Sequence, residues 1–133
     1  MTNEIATRIL VVDDDPELQQ LVRILLSRNN MEVMSAPTVA AAVKLLATPP
    51  LPDLILLDLM LPDQSGMSFL RQMRARTAFN AVPVIVLSAL VDPAQIREAL
   101  DSGADRYLTK PYIANNLVSY VVDVLSSGRR QPS

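Results

Sequence analysis

Four short strand-like runs in this chain each end on side chains that can do chemistry. Ile9-Leu10-Val11-Val12 runs into Asp13-Asp14-Asp15, Leu54-Ile55-Leu56-Leu57 into Asp58, Val84-Ile85-Val86-Leu87 into Ser88, and Arg106-Tyr107-Leu108 into Thr109-Lys110. Clustered carboxylates repel one another unless a positive charge lies among them. The chain has no Cys and no His, so a metal held here would have oxygen ligands, which suits Mg²⁺ or Mn²⁺. Mg²⁺ takes one or two carboxylates, keeps several waters and commonly meets a phosphate. Lys110 is one of two lysines, the other being Lys44. Its ammonium is a compact charge on a long stem. A carboxylate at position 58 can act as a nucleophile toward phosphorus and form an aspartyl phosphate. Such a transfer asks mainly for positioning and charge neutralisation. The metal, Lys110, the Ser88 hydroxyl and the backbone N–H of Ala89 can supply both. Plainer roles exist for each residue. The three acids can cap a helix, which accounts for Asp15 but not for Asp13 or Asp14. Asp58 can be a turn acid before Pro62, and Lys110 a solvated charge.

Composition removes the competing chemistries. Without Cys or His there are no disulfides, no Cys/His zinc sites and no Ser-His-Asp triad. The three glycines, Gly66, Gly103 and Gly128, are too scattered for a dinucleotide fingerprint or a phosphate-cradling loop. A net charge of −2 predicts no sequence-independent grip on nucleic acid. No stretch reads as a membrane span or an export signal, so a cytoplasmic location is expected.

These polar ends need elements to hold them. With 133 residues, half of them apolar, the chain can build one domain with a real core. Strands are predicted over 8–12, 31–35, 54–57, 84–87 and 106–108, and three of them are apolar throughout, as strands covered on both faces are. Helices alternate with them. Asp15-Pro16-Glu17 opens the first, with Leu18, Leu21, Val22, Leu25 and Leu26 on one stripe. Thr38 caps the second, which carries Val39, Val43 and Leu46. The third runs from 65 or 66 to 76, burying Met67, Leu70 and Met73, with Arg71, Arg74 and Arg76 as a solvated basic face. Asp92-Pro93 opens the fourth, with Ile96, Ala99 and Leu100, and Gly103 ends it. The fifth covers 114–126, with Leu117, Val121, Val124 and Leu125 inward. Strand followed by helix five times predicts an α/β, flavodoxin-like, doubly wound parallel sheet of order 2-1-3-4-5. Ligands bind such sheets at the carboxyl ends of the strands. In this order the four polar strand ends are neighbours, and the unreactive second end, Ala36-Pro37, lies at an edge. Neighbouring strands are about 4.8 Å apart, so Lys110 starts roughly 10 Å from Asp58 and can bridge most of that gap.

Taken in order and at these spacings, the pieces resemble the receiver domain of two-component response regulators, the CheY-like superfamily. The carrying motifs are Ile9 through Asp15, then Leu56-Leu57-Asp58-Leu59-Met60-Leu61-Pro62-Asp63 with Gly66 following. After these come Val86-Leu87-Ser88-Ala89, Gly103-Ala104-Asp105 with Tyr107, and Lys110-Pro111-Tyr112. Together they cover 7–125. The resemblance implies that Asp58 accepts phosphoryl from the phosphohistidine of a sensor histidine kinase or phosphotransfer protein. It implies Mg²⁺ (Mn²⁺ is also suitable) on Asp13, Asp14, Asp58 and the Met60 backbone carbonyl. Lys110, Ser88 and the Ala89 N–H would bind the phosphoryl oxygens. Ser88 would be the switch hydroxyl, and Tyr107 the aromatic that turns inward as Ser88 moves. A cis Lys110–Pro111 bond is implied, which proline makes inexpensive. The implied role is a signalling switch that assists its own phosphorylation and dephosphorylation, not an enzyme. The response would appear on the face made by the fourth helix, fifth strand and fifth helix, for an effector of unknown kind or for a homodimer.

Departures from the family pattern are informative. Ser88 stands where Thr is more frequent. Arg106 stands where a DNA-binding subfamily carries an acid, and the fifth helix lacks that subfamily's basic residues, so its charged dimer face is not expected. Val118, Val122 and Tyr112 are instead expected to help form a docking face, because the fifth helix is apolar around most of its circumference. Met60 and Leu90, two residues after Asp58 and Ser88, cannot orient an attacking water, so slow self-dephosphorylation is expected. Three rival readings remain. A haloacid-dehalogenase-like phosphatase would want an acid where Met60 stands. A flavin carrier would want a loop without three acids after the first strand. A receiver that only binds partners would not need the full set of acids, hydroxyl and lysine. Domain limits are expected at 1–127, with 128–133 a polar tail or linker start, in either a stand-alone receiver or a piece of a longer regulator. Met1 favours a native N-terminus.

Overall fold

The computed structural model describes residues 6–110 and 113–130. Five parallel strands, β1 (Thr7–Val12), β2 (Met31–Ala36), β3 (Leu54–Asp58), β4 (Val84–Ser88) and β5 (Arg106–Thr109), form one sheet of order β2-β1-β3-β4-β5. Five helices alternate with them: α1 (Pro16–Ser27), α2 (Val39–Leu46), α3 (Gly66–Arg74), α4 (Pro93–Asp101) and α5 (Ile113–Ser127). The expected α/β architecture and strand order are found.

Alternation along the strands explains their unbroken apolarity. Leu10, Val12, Ile55, Leu57, Val84 and Val86 face one side and pack with residues of α2, α3 and α4. Ile9, Val11, Leu54, Leu56, Ile85 and Leu87 face the other and pack with residues of α1 and α5. Each central strand is therefore buried on both faces and needs apolar residues at every position.

The helix ends follow the sequence signals. The side chains of Asp15, Thr38, Ser65 and Asp92 accept from the amides of Glu17 (2.9 Å), Ala41 (3.0 Å), Ser68 (3.4 Å) and Ala94 (3.0 Å). Each cap is worth about 1 kcal/mol. Gly103, with φ of +117°, ends α4. Its N–H reaches Leu100 O and the Ala104 N–H reaches Ala99 O, the paired pattern that closes a helix through a left-handed residue.

Three expectations are corrected. On α2 the buried face is Val39, Ala42 and Leu46, while Val43 is half exposed. Residues three and seven positions on from Val39 meet the sheet, and Val43 lands beside them. Helix α3 stops at Arg74, not 76, and a short 3-10 turn, Thr77–Phe79, follows that the pattern does not announce. Arg74 is also not part of a solvated face. Its guanidinium turns inward to Gly103 O, Phe79 O and Asp105. Beyond α5, the described residues Arg129 and Arg130 both bond to Asp105. Among the described residues no helix is long and apolar enough to cross a membrane.

Candidate phosphoryl-acceptor site

Register brings the predicted residues together. Val12 pairs with Leu57, Asp58 with Leu87, and Ser88 with Thr109. Asp13, Asp58, Ser88 and Lys110 therefore leave adjacent strands at the same end of the sheet. Asp13, Asp58 and Ser88 are buried, whereas Asp14 is exposed.

Lys110 lies at the centre of the charges. Its Nζ is 3.0 Å from Asp58 Oδ2 and 3.1 Å from Asp13 Oδ2. Asp58 Oδ1 accepts from the Met60 N–H at 3.1 Å, and Asp13 Oδ1 accepts from the Asp15 N–H at 2.9 Å. Beyond the ion pair, Asp13 Oδ2 has no hydrogen bond of good geometry. Carboxylate oxygens of Asp13, Asp14 and Asp58 all lie within 4.8 Å of one another. That set, hard, anionic and with one under-satisfied buried oxygen, fits a divalent cation with oxygen preference.

Burial pushes the Asp13 carboxyl above its ordinary value of 3.8. The Asp58 charge adds to this, and the Asp15 amide and Lys110 oppose it. An acid whose pKa rises on folding contributes stability below 3.8 that is lost as pH climbs through its folded value. Ionised Asp13 thus opposes folding at neutral pH. Asp13→Asn is expected to melt higher than the unaltered chain in chelator at pH 7, and the gap is expected to narrow as the pH approaches 3.8. Mg²⁺ is expected to raise the melting temperature of the unaltered chain and to leave that of the variant unchanged. Calorimetry across that pH range checks both; a lower melting temperature at pH 7 would contradict the first.

The hydroxyl side of the site is organised around Leu90. Its N–H donates to Ser88 Oγ at 3.1 Å, and its carbonyl accepts from the Tyr107 hydroxyl at 2.8 Å. Ser88 and Tyr107 are thus joined through a single residue of the β4–α4 loop. Ala89, exposed, follows Ser88. Met60 is 64% exposed beside Asp58, and Leu90 is partly exposed. The expected cis bond involves Pro111, which lies outside the described residues, as does Tyr112. On α5, Val118, Tyr120 and Leu125 pack against the core, which leaves Val122 as the exposed large apolar residue of that helix. Arg106 pairs with Asp123 and lies over the Tyr120 ring.

Sequence reasoning missed three supports. Gln19 donates from its side chain to the Asp13 carbonyl. Asp63 accepts from the Val39 and Ala40 amides, both at 3.0 Å, and so caps α2 across 24 residues. Gly66, in the sequence only one piece of a motif, presses against the backbone of Asp58 and Leu59. A Cβ there would stand 2.2 Å from the Asp58 carbonyl oxygen and 2.7 Å from Leu59 Cα. Backbone cannot move aside as a flexible side chain can, so Gly66→Ala is expected to cost about 1–3 kcal/mol and to displace Asp58. Urea unfolding checks the cost. An unchanged midpoint would contradict it.

Comparison with known proteins identifies the family. The family model described as response regulator receiver domain matches residues 9–122. The chain is 43% identical over 106 residues to the transcriptional regulatory protein KdpE of Mycobacterium tuberculosis, covering 80% of this chain and 45% of that protein. It is 36% identical over 120 residues to the phosphate regulon transcriptional regulatory protein PhoB of Escherichia coli, covering 90% and 52%. It thus spans about half the length of these relatives. Among solved structures it resembles the BeF3-activated N-terminal receiver domain of Klebsiella pneumoniae RstA, with TM-score 0.80 and 30% identity over 89% of this chain and 97% of that one. It also resembles the receiver domain of the Francisella response regulator 1452, with TM-score 0.83 and 32% identity over 91% and 98%. The strand order, the acids at the strand ends and the match along most of its length converge: the chain belongs to the response regulator receiver domain family of two-component systems.

Proposed function

We propose that Asp58 accepts a phosphoryl group from the phosphohistidine of a sensor histidine kinase or phosphotransfer protein. The observation that carries this reading is the Lys110 ammonium, 3.0 Å from Asp58 and 3.1 Å from Asp13. A carboxylate oxygen of Asp58 forms the new O–P bond as the N–P bond to the donor imidazole breaks. The electrons of that bond stay on the imidazole nitrogen, which takes up a proton. Asp13, Asp14, Asp58 and the Met60 carbonyl would hold Mg²⁺ or Mn²⁺, whose charge offsets that of the phosphoryl oxygens. In this reading Lys110 keeps its ammonium on the phosphoryl oxygens, and Ser88 Oγ and the Ala89 N–H, at the end of the neighbouring strand β4, donate to them.

The response rests on the bonds at Leu90. A Ser88 hydroxyl drawn toward the phosphoryl group leaves the Leu90 N–H, and the loop that accepts from Tyr107 is free to shift. This supports the α4-β5-α5 face as the responding surface, for an effector or a second copy. Met60 and Leu90, two residues after Asp58 and Ser88 and lining one pocket, carry apolar side chains that orient no water, which supports slow loss of the group.

Intact mass after incubation with acetyl phosphate and Mg²⁺ tests the reading. One added phosphoryl group is expected, absent in Asp58→Asn and absent in chelator. With the donor removed, decay is expected to speed up when Met60 becomes Asn or Leu90 becomes Glu. No adduct, together with no binding of fluoroberyllate, would make a phosphorylation-independent binding module the better account.

A further inference from the structure

A second polar cluster lies at the opposite end of the sheet from Asp58, at the foot of β5. Asp105 is buried there and accepts four hydrogen bonds. Its Oδ2 takes Arg74 Nη2 at 3.2 Å and the Val84 N–H at 2.8 Å. Its Oδ1 takes Arg129 Nε at 2.8 Å and the Arg130 N–H at 2.6 Å. Arg129 also donates to Asn80 O at 2.7 Å and to Gly103 O at 3.4 Å.

Two of the four donors belong to residues beyond α5. Gly128 makes their return possible: its N–H closes the helix on Val124 O, and its φ of +75° turns the chain back toward β5. Residues just past a terminal helix are usually loose unless tied down. Here the tie is a buried carboxylate with an ion pair and a backbone bond. The returning segment also lines an open pocket of about 510 Å³ together with Ile96, Leu100, Tyr107 and Val124.

We propose that residues 128–130 are a strap that clamps the chain leaving α5 to the foot of β5. The path of the chain from Gly128 to Arg130 is then set by Asp105 and not by a free linker. A flexible connection would sample many paths; a strap on Asp105 selects one. The same buried acid sits two residues before Tyr107, so the exit and the responding strand share an anchor. This inference stands whether or not Asp58 is phosphorylated.

Residue-resolved amide exchange by NMR on the full chain tests it. The Arg130 amide is expected to exchange at least about tenfold slower than in a free peptide. Arg129→Gln keeps the length of the segment but removes the charge, and is expected to return that amide to near the free rate. Gly128→Ala is a second variant that touches no packing, since nothing lies within 4 Å of the added Cβ. It strains only the turn, and is expected to lower the protection as well. In both variants the Ala104 amide, bonded to Ala99 O, is expected to stay protected, which shows that the domain remains folded. Free-peptide exchange at Arg130 in the unaltered chain, or protection that survives Arg129→Gln, would overturn the strap.

Discussion

Lys110→Ala is expected to slow phosphoryl uptake from acetyl phosphate by about 100-fold or more, the scale seen when one preorganised donor is removed from a charge-developing site. Among the described residues Lys110 is the cation in contact with both Asp13 and Asp58. Without it, an anionic phosphoryl group must approach two buried carboxylates with less charge to offset it. Burial pulls the lysine's pKa down. The hydrogen bonds and charges of Asp58 and Asp13 outweigh that and hold it above 10.5. The ammonium is therefore fully charged at neutral pH, and uptake is not expected to lose rate through lysine deprotonation there. A cation whose pKa rises on folding contributes stability that is present below 10.5 and lost as pH climbs through the folded value. That alkaline loss is expected to be missing in Lys110→Ala. Lys110→Arg retains charge but replaces a compact ammonium with a planar fork, and is expected to recover only part of the rate. Time courses of intact mass, beside melting curves that show each variant folded, decide the matter. A Lys110→Ala rate close to that of the unaltered chain would remove the lysine from the reaction.

What could be read from the sequence was whatever depends on neighbours along the chain. Asp15-Pro16 and Asp92-Pro93 each place an acceptor and a proline within one turn, so α1 and α4 could be started to the residue. The unbroken apolar strands announced burial on both faces, and the parallel order then forced Asp13, Asp58, Ser88 and Lys110 onto one end. Residue chemistry alone points to an oxygen-ligand metal site and a carboxylate nucleophile there, while the phosphohistidine donor, the Met60 carbonyl ligand and the Ser88–Tyr107 switch rest on resemblance. What was not legible involves partners far apart in sequence. Arg74 looks like one more exposed helix arginine until Asp105, 31 residues on, is folded against it. Asp63 is only one letter of a motif until α2 presents two amides to it. Val43 and Ala42 are adjacent and both apolar, and only the placement of α2 on the sheet decides which is covered. Gly66 offers no side chain to reason from, and its role appears only as the space a Cβ would fill.

The largest loss of stability is expected from Asp105→Asn, at about 3–5 kcal/mol, the range for breaking a buried ion pair by removing one partner. The side chains of Asp105 and Arg74 are 2% and 11% exposed, so water screens their attraction weakly. Burial, with the nearby Arg129 charge, already lowers the Arg74 pKa to about 10, against the opposing pull of Asp105. Removing the carboxylate's charge leaves a desolvated guanidinium without its counter-ion. An amide cannot accept well on both sides, so some of the donors from Arg74, Val84, Arg129 and Arg130 lose their acceptor too. Arg71 and Glu98 provide the control. They also form an Arg–acid pair, but at 54% and 49% exposure, and Arg71→Ala is expected to cost under about 1 kcal/mol. Urea unfolding of both variants measures the difference. A loss on the larger scale corresponds to a drop in melting temperature on the order of 10 °C in a domain of this size. Equal losses from the two variants would mean that the foot of β5 is held by packing alone. A large loss in Asp105→Asn and a small one in Arg129→Gln would place the stability in the Arg74 pair, leaving Arg129 free to hold the exit of the chain without holding the fold.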